Sequence, residues 1–241
     1  MKYSIKTFGF SDIGLTRKNN EDAFIALDQH NFFALADGMG GHNAGEIAAK
    51  KTIQSLSEYV KINFRSDYFK ISLKEVITDL NQSIYEANQL VFNLSRDHES
   101  FQGMGTTVCC LYLHNADAIF AHVGDSRVYL YRNNILHKLT EDHSLSKESF
   151  KEVPHPYKNI ITRAIGIQSE VLPDIGHIKI KKDDIFFLCS DGLTDFLHHE
   201  EIKNILKHKH SLKLTVQKLI DNAKENGSRD NITILMVKIH E

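Results

Sequence analysis

Hydrophobic and polar positions along the chain fall into blocks of two different periods. Ile5 to Phe10, Ala23 to Leu27 and Phe32 to Asp37 are short β-rich pieces separated by polar or glycine-containing stretches, the signature of strands running into loops. The period then becomes helical. Ala49, Ile53, Leu56 and Val60 recur on one face, and Leu73, Val76, Ile77, Leu80, Ile84, Ala87 and Val91 form a longer stripe preceded by Ser72 and Glu75 in capping-box register. After the polar stretch Ser95 to Gln102, the segments TTVCCLYL, AIFAHVG, RVYLYR and ILHKLT predict adjacent strands in a meander, with tight connections at Asn115 and Asn133-Asn134. The remainder predicts a strand at Ile185 to Ser190, helices at Glu200 to Leu206 and Leu212 to Asn226 with Gly227 as terminator, and a closing strand in NITILMVKI.

Glu141 to Asn159 is polar, contains Pro154 and Pro156 and carries no apolar stripe, so it predicts an exposed flap at about 141–159. Helices in two blocks between runs of strands indicate sheets covered by helices, with too few crossovers for a doubly wound sheet. Neither a repeat nor a linker-like composition divides the 241 residues, which are expected to form one domain, 1–241.

Composition removes several classes of function. Lys and Arg number 29 against 31 Asp and Glu, a net charge of −2, so no bulk positive field exists to hold a nucleic acid or an anionic membrane. Cys109, Cys110 and Cys189 are odd in number, lie in apolar runs and form no CxxC pair, which fits a reducing compartment. MKYSIKTFGFSD lacks a signal-peptide core, and the strongest apolar run, Ile185 to Cys189, is far too short to span a bilayer. A cytoplasmic chain is expected.

Acidic residues give the chemistry its first outline. Asp37, Asp125, Asp191 and Asp230 each sit at the end of an apolar run. Any one of them alone reads as turn chemistry, since Asp caps turns and the glycines beside three of them accept unusual dihedrals. Four in equivalent settings would converge at one sheet edge, where their repulsion is unfavourable unless a divalent cation neutralises it. Oxygen-only ligands suit Mg²⁺ or Mn²⁺ rather than structural zinc. His198, His199, His208 and His210 show no tetrahedral spacing and read as solvated, while His42 and His143 lie nearer the chemistry but read equally well as loop hydrogen-bonding residues. Ser126 and Ser190 lack a GxSxG elbow, and DGMGGHNAG matches neither dinucleotide nor P-loop fingerprint.

Taken in order, Arg17 with Asn20-Glu21-Asp22, Asp37-Gly38-Met39-Gly40-Gly41-His42, Gly105-Thr106-Thr107, Gly124-Asp125-Ser126-Arg127, Ser190 to Asp195 and Asp230-Asn231-Ile232-Thr233 resemble the motifs of the metal-dependent PP2C-type (PPM) protein serine/threonine phosphatases, bacterial branch. The resemblance runs from about Phe8 to Val237. It implies an α+β fold, a four-layer αββα sandwich of two antiparallel sheets flanked by helices. It further implies that Asp37 bridges two ions, that the Gly38 carbonyl, Asp191 and Asp230 complete their site, and that Asp125 with Asp191 forms a third, weaker position. Glu21 and Asp22 match residues that hold metal-bound waters and so orient the ligands, and Arg17 matches the arginine that receives the substrate phosphate. The implied reaction is hydrolysis of protein phosphoserine and phosphothreonine by direct attack of a metal-bridging water, without a phosphoenzyme. Mn²⁺ or Mg²⁺ is the implied cofactor, phosphorylated proteins and a cognate Ser/Thr kinase the implied partners, and a monomer the expected state.

Two departures bear on mechanism. Met39 stands where eukaryotic relatives carry a histidine proposed to protonate the leaving group, and a thioether cannot donate a proton. The segment between Asp142-His143-Ser144 and Thr162-Arg163-Ala164 is also shorter than in many bacterial members. The competing class is a non-catalytic phosphoprotein-binding or regulatory domain of the same fold; retention of Arg17 and all four aspartates favours the enzyme.

Overall fold

A strand whose two faces are both apolar must be buried on both sides, and the strands that meet this description, such as β5 (Val108–His114), are buried where two antiparallel sheets, holding eleven strands among the described residues, stack on each other. The computed structural model describes residues 3–40, 44–64, 70–145 and 160–240. One sheet has the order β1 (Ser4–Asp12), β11 (Ile232–His240), β10 (Ile185–Cys189), β7 (Arg127–Arg132), β8 (Ile135–Lys138). The other runs β2 (Asp22–Leu27), β3 (Phe32–Met39), β5 (Val108–His114), β6 (Asp117–Val123), β9 (Asp174–Lys179), with β4 (Gly105–Thr106) paired to the end of β3. Helices α1 (Ala44–Asn63) and α2 (Leu73–Asp97) cover the second sheet, and α3 (Asp191–Thr194), α4 (His199–Lys207) and α5 (Leu212–Glu225) cover the first.

Period-two alternation assigns each strand residue to one of three apolar seams. On β3, Phe32, Ala34 and Ala36 face α1 and α2, whereas Phe33 and Leu35 face the opposing sheet. On β10, Phe187 and Cys189 pack under α4 and α5, whereas Phe186 and Leu188 enter the seam between the sheets. The result is four layers, αββα, as the resemblance implied. Helix α2 starts on the expected capping box: the Glu75 amide donates to Ser72 Oγ at 3.3 Å and the Ser72 amide to Glu75 Oε2 at 2.8 Å. All three cysteines are buried and free.

The meander is corrected by the structure. β5 and β6 pair in one sheet and β7 and β8 in the other, so the chain changes sheets between them. Gly124, at φ +101°, makes that crossing; a side chain there would press on Thr107. Strand β9 was not expected from the sequence. Asp142, His143 and Ser144, at the start of the predicted flap, are buried, while residues 146–159 lie outside the described residues. The two ends of that stretch meet in the bridge Ser144 to Ile161, with the Thr162 amide donating to the His143 carbonyl at 2.9 Å. Among the described residues, no helix is long and apolar enough to cross a membrane.

Candidate metal centre

Strands from both sheets end at one edge of the sandwich, and there they deliver their acidic residues. Asp37 lies near the end of β3, where its backbone is pinned by the Gly105-Thr106-Thr107 segment. Its amide donates to Thr107 Oγ1 at 3.0 Å, and its carbonyl accepts from the Thr107 amide and from Thr106 Oγ1, each at 2.8 Å. Asp191 opens the single turn α3 directly after β10, and Asp125 follows β6 through Gly124. Asp230 precedes β11 and accepts the Asn231 amide on Oδ1 at 2.8 Å.

Arg17, Glu21, Asp37, Gly38, Asp125, Asp191 and Asp230 line one cavity of about 250 Å³, together with Met39, Gly40, Ile161 and Asn231. Every residue expected to contact ions or phosphate therefore lines the same cavity. Among the described residues, two larger grooves, one beside α1 and one beside the start of α5, contain none of Asp37, Asp125, Asp191 and Asp230. Asp22 is outside that lining: its Oδ2 accepts from Ser190 Oγ at 2.9 Å and Thr233 Oγ1 at 2.6 Å. Arg17 Nη2 donates to Asp230 Oδ2 at 2.7 Å. Arg17 thus makes an ion pair near the surface, with a residue of the cluster itself. His42 lies outside the described residues.

The electrostatics of so many acids in one place are severe. Burial, then the fields of Asp22, Asp191, Asp125 and Asp230, hold the Asp37 carboxyl well above its ordinary range. Asp191 is raised likewise by burial and by Asp125, Asp195, Asp230 and Asp22. Asp22 and Asp125 are both pushed up to about 6, burial being the leading cause in each. Asp125, which lines the cavity, has its Oδ1 buried without a hydrogen-bond partner. Buried carboxylate oxygens that repel one another and lack donors are the donor set a hard divalent cation requires, so the residues fit Mg²⁺ or Mn²⁺. Gly38 fits as well, because a Cβ there would collide with the Gly45 carbonyl.

The chain has clear relatives among known proteins. Residues 16–234 match the family model of protein phosphatase 2C. A putative protein phosphatase 2C-type of Streptococcus pyogenes is 40% identical over 98% of this chain and 97% of its own. The crystallised Streptococcus agalactiae serine/threonine phosphatase shares 34% identity, with a TM-score of 0.86 over 97% of this chain and 98% of its own. The catalytic domain of the serine/threonine phosphatase PstP, solved with two manganese ions, shares 29% with a TM-score of 0.86 over the whole of both chains. The chain belongs to the protein phosphatase 2C family. It is a divalent-metal-dependent enzyme that hydrolyses phosphoserine and phosphothreonine in proteins.

Several residues of this phosphatase were not legible as functional. Asn231 ties the centre together: its Oδ1 accepts the Glu21 amide at 2.8 Å and its Nδ2 donates to the carbonyls of Ile13 and Asn19, each at 3.0 Å. Asp195 adds negative field on both Asp125 and Asp191; its place in the Ser190 to Asp195 motif was the only hint. His122, His143 and Asp174 form a separate group of metal-ligating residue types whose donor atoms lie within 4.8 Å of one another. His143 touches the turn that carries Asp125, and burial followed by the nearby His122 pushes its imidazole down to about 4, so the ring is neutral. Asp174 lies on a strand that the sequence did not reveal, which kept the group hidden.

Proposed function

We propose that Asp37, the Gly38 carbonyl, Asp191 and Asp230 hold two core ions, that Asp125 with Asp191 holds a third more weakly, and that Arg17 receives the phosphate of a phosphorylated protein. The observation that carries this reading is the joint presence of Arg17, Asp37, Gly38, Asp125, Asp191 and Asp230 around one small cavity. The ions, when bound, supply Lewis acidity, a nucleophilic water at neutral pH and charge neutralisation of the phosphoryl group.

The chain's own residues have separable tasks. Arg17 stays charged under all conditions, and its planar fork suits a phosphate dianion; its bond to Asp230 aims it across the cavity. Asp22 and Glu21 do not meet the phosphate. Asp22, fixed by Ser190 and Thr233, stands beside Asp37 and sets its position, while Glu21 is fixed through its amide by Asn231. Met39 lines the cavity and offers no proton, so the leaving oxygen takes its proton from another group.

The reading extends to the whole chain: residues 1–241 act as one monomeric phosphatase domain in the cytoplasm, with the 141–159 segment contributing to substrate choice and a cognate Ser/Thr kinase supplying the substrates. Mn²⁺ binding measured by calorimetry tests the assignment. The parent should bind two ions tightly, and Asp37→Asn should lose both, because that carboxylate is shared between them. Unchanged stoichiometry in Asp37→Asn would place the ions elsewhere.

A further inference from the structure

Asp125 reaches the centre from a turn; its carboxylate accepts from its own backbone amide but Oδ1 is buried without a partner, so the side chain alone does not fix its direction. The preceding residue must do so. Both main-chain groups of Gly124 are taken by His143: the Gly124 carbonyl accepts the His143 amide at 3.0 Å, and the Gly124 amide donates to His143 Nδ1 at 3.1 Å. His143 is 1% exposed. A neutral ring that accepts at Nδ1 carries its hydrogen on Nε2. That Nε2 lies 3.2 Å from Asp174 Oδ2, within ion-pair distance but without hydrogen-bond geometry, and the other oxygen of Asp174 is held by Arg163 Nη1 at 2.9 Å. His122 lies against the His143 ring, centroids 4.4 Å apart, and is itself anchored through Nε2 to the Glu141 carbonyl at 2.7 Å.

We propose that His143 is a positioning residue for Asp125: accepting the Gly124 amide at Nδ1, with its hydrogen on the Nε2 that faces Asp174, it clamps the Gly124 turn and thereby sets the angle at which the Asp125 carboxylate enters the metal centre. The clamp also reaches a second segment that lines the cavity. The His143 carbonyl accepts the Thr162 amide at 2.9 Å, and the neighbouring Ile161 lines the same cavity as Asp125. One residue therefore joins the Asp125 turn to the 160–163 segment.

The His122, His143 and Asp174 donors are also the residue types that would chelate an ion. The two roles exclude each other. Ligation through His143 Nε2 needs a lone pair there, which moves the hydrogen to Nδ1 and sets it against the Gly124 amide hydrogen. The bond from the Gly124 amide to Nδ1 favours the clamp, while His143 Nε2 and His122 Nδ1 are buried without hydrogen-bond partners.

The proposal rests on the metal role of Asp125 only in its Mn²⁺ arm. Nitrogen-15 NMR of the parent should show His143 protonated at Nε2 and bare at Nδ1; the opposite tautomer overturns the clamp without any variant. His143→Asn keeps an acceptor near the Nδ1 position, and His143→Gln keeps only a donor near Nε2. Hydrogen exchange should show the Gly124 amide about tenfold or more less protected in His143→Gln and within about threefold of the parent in His143→Asn. Equal protection in all three proteins refutes the clamp. In Mn²⁺ titrations, Asp125→Asn and His143→Gln should each weaken the loosest ion about 10- to 100-fold. The double variant should lose no more than Asp125→Asn alone, whereas additive losses would mean that His143 does not act through Asp125. Should Asp125→Asn leave the titration unmoved, the metal assignment of Asp125 falls, and the amide-exchange arm still judges the clamp. Loss of a bound ion in Asp174→Asn or His122→Gln, with Gly124 deprotected by Mn²⁺ in the parent, would assign the group to an ion and overturn the proposal.

Discussion

Replacing Asp125 by asparagine should make the protein more stable in EDTA while weakening its response to metal. The Asp125 carboxyl is pushed from an ordinary 3.8 to about 6, first by burial and then by Asp142 and Asp195. At pH 7.5 it is ionised in both folded and unfolded chains, and the folded state carries the cost. Below pH 3.8 both states hold the proton and the cost vanishes; it grows as pH rises and is full above about 6. The displacement corresponds to about 3 kcal/mol, since one pH unit is about 1.4 kcal/mol. A buried amide retains some desolvation cost, so Asp125→Asn should recover about 1 to 3 kcal/mol, or about 2 to 10 °C in melting midpoint for a chain of this size. Thermal melts in EDTA at pH 5 and 7.5, repeated with saturating Mn²⁺, provide the assay. The gain should be larger at pH 7.5 than at pH 5, and the variant's further rise on adding Mn²⁺ should be smaller than the parent's. A variant that melts at or below the parent in EDTA at pH 7.5 would refute the claim that this carboxylate is held against its own electrostatics.

Arg17→Ala should raise KM for a phosphopeptide about 10- to 100-fold while two Mn²⁺ ions still bind, read by substrate titration and calorimetry; loss of Mn²⁺ binding would contradict the phosphate role. Arg132→Met strips the partner from the fully buried Asp184, whose oxygens take Arg132 Nε at 2.7 Å and Nη2 at 2.6 Å, and should cost about 3 to 5 kcal/mol in urea unfolding without changing the ion count. Asp142 sits below its ordinary 3.8; burial opposes this, but the forked bond from Arg127 and the nearby Lys138 outweigh it. Its stabilising contribution is complete above pH 3.8 and is lost as pH falls through the lowered value, so the stability curves of the parent and Asp142→Asn should differ at pH 7 and converge in acid.

Much of this organisation was legible in the chain because local pattern and tertiary role coincide. Ser72 and Glu75 announce α2, Asn115 and Asn133-Asn134 mark the hairpins with positive φ, and the four strand-end aspartates point to one edge. What failed to show was what depends on the partner sheet. β5 is buried at every position, so its sequence does not say which sheet it joins, and Gly124 looks like any turn glycine although it carries the chain between sheets. β9 is short and broken by Gly176, against which the Phe120 ring packs, so its alternation is faint. The same blindness covers the supports of the centre. Asp22 meets Ser190 and Thr233 across 168 and 211 residues, and His143 meets Asp174 only because β9 lies beside β6.

The central claim is that a metal-loaded carboxylate cluster around Asp37 hydrolyses phosphoserine and phosphothreonine. Phosphate release from a phosphothreonine peptide, measured for the parent in Mn²⁺ and in EDTA and for Asp37→Asn in Mn²⁺, tests it most directly. Release should occur only in the parent with Mn²⁺, with Asp37→Asn down by about 10³-fold or more and below Asp125→Asn. Turnover that persists in EDTA, or an Asp37→Asn enzyme as active as the parent, would contradict it.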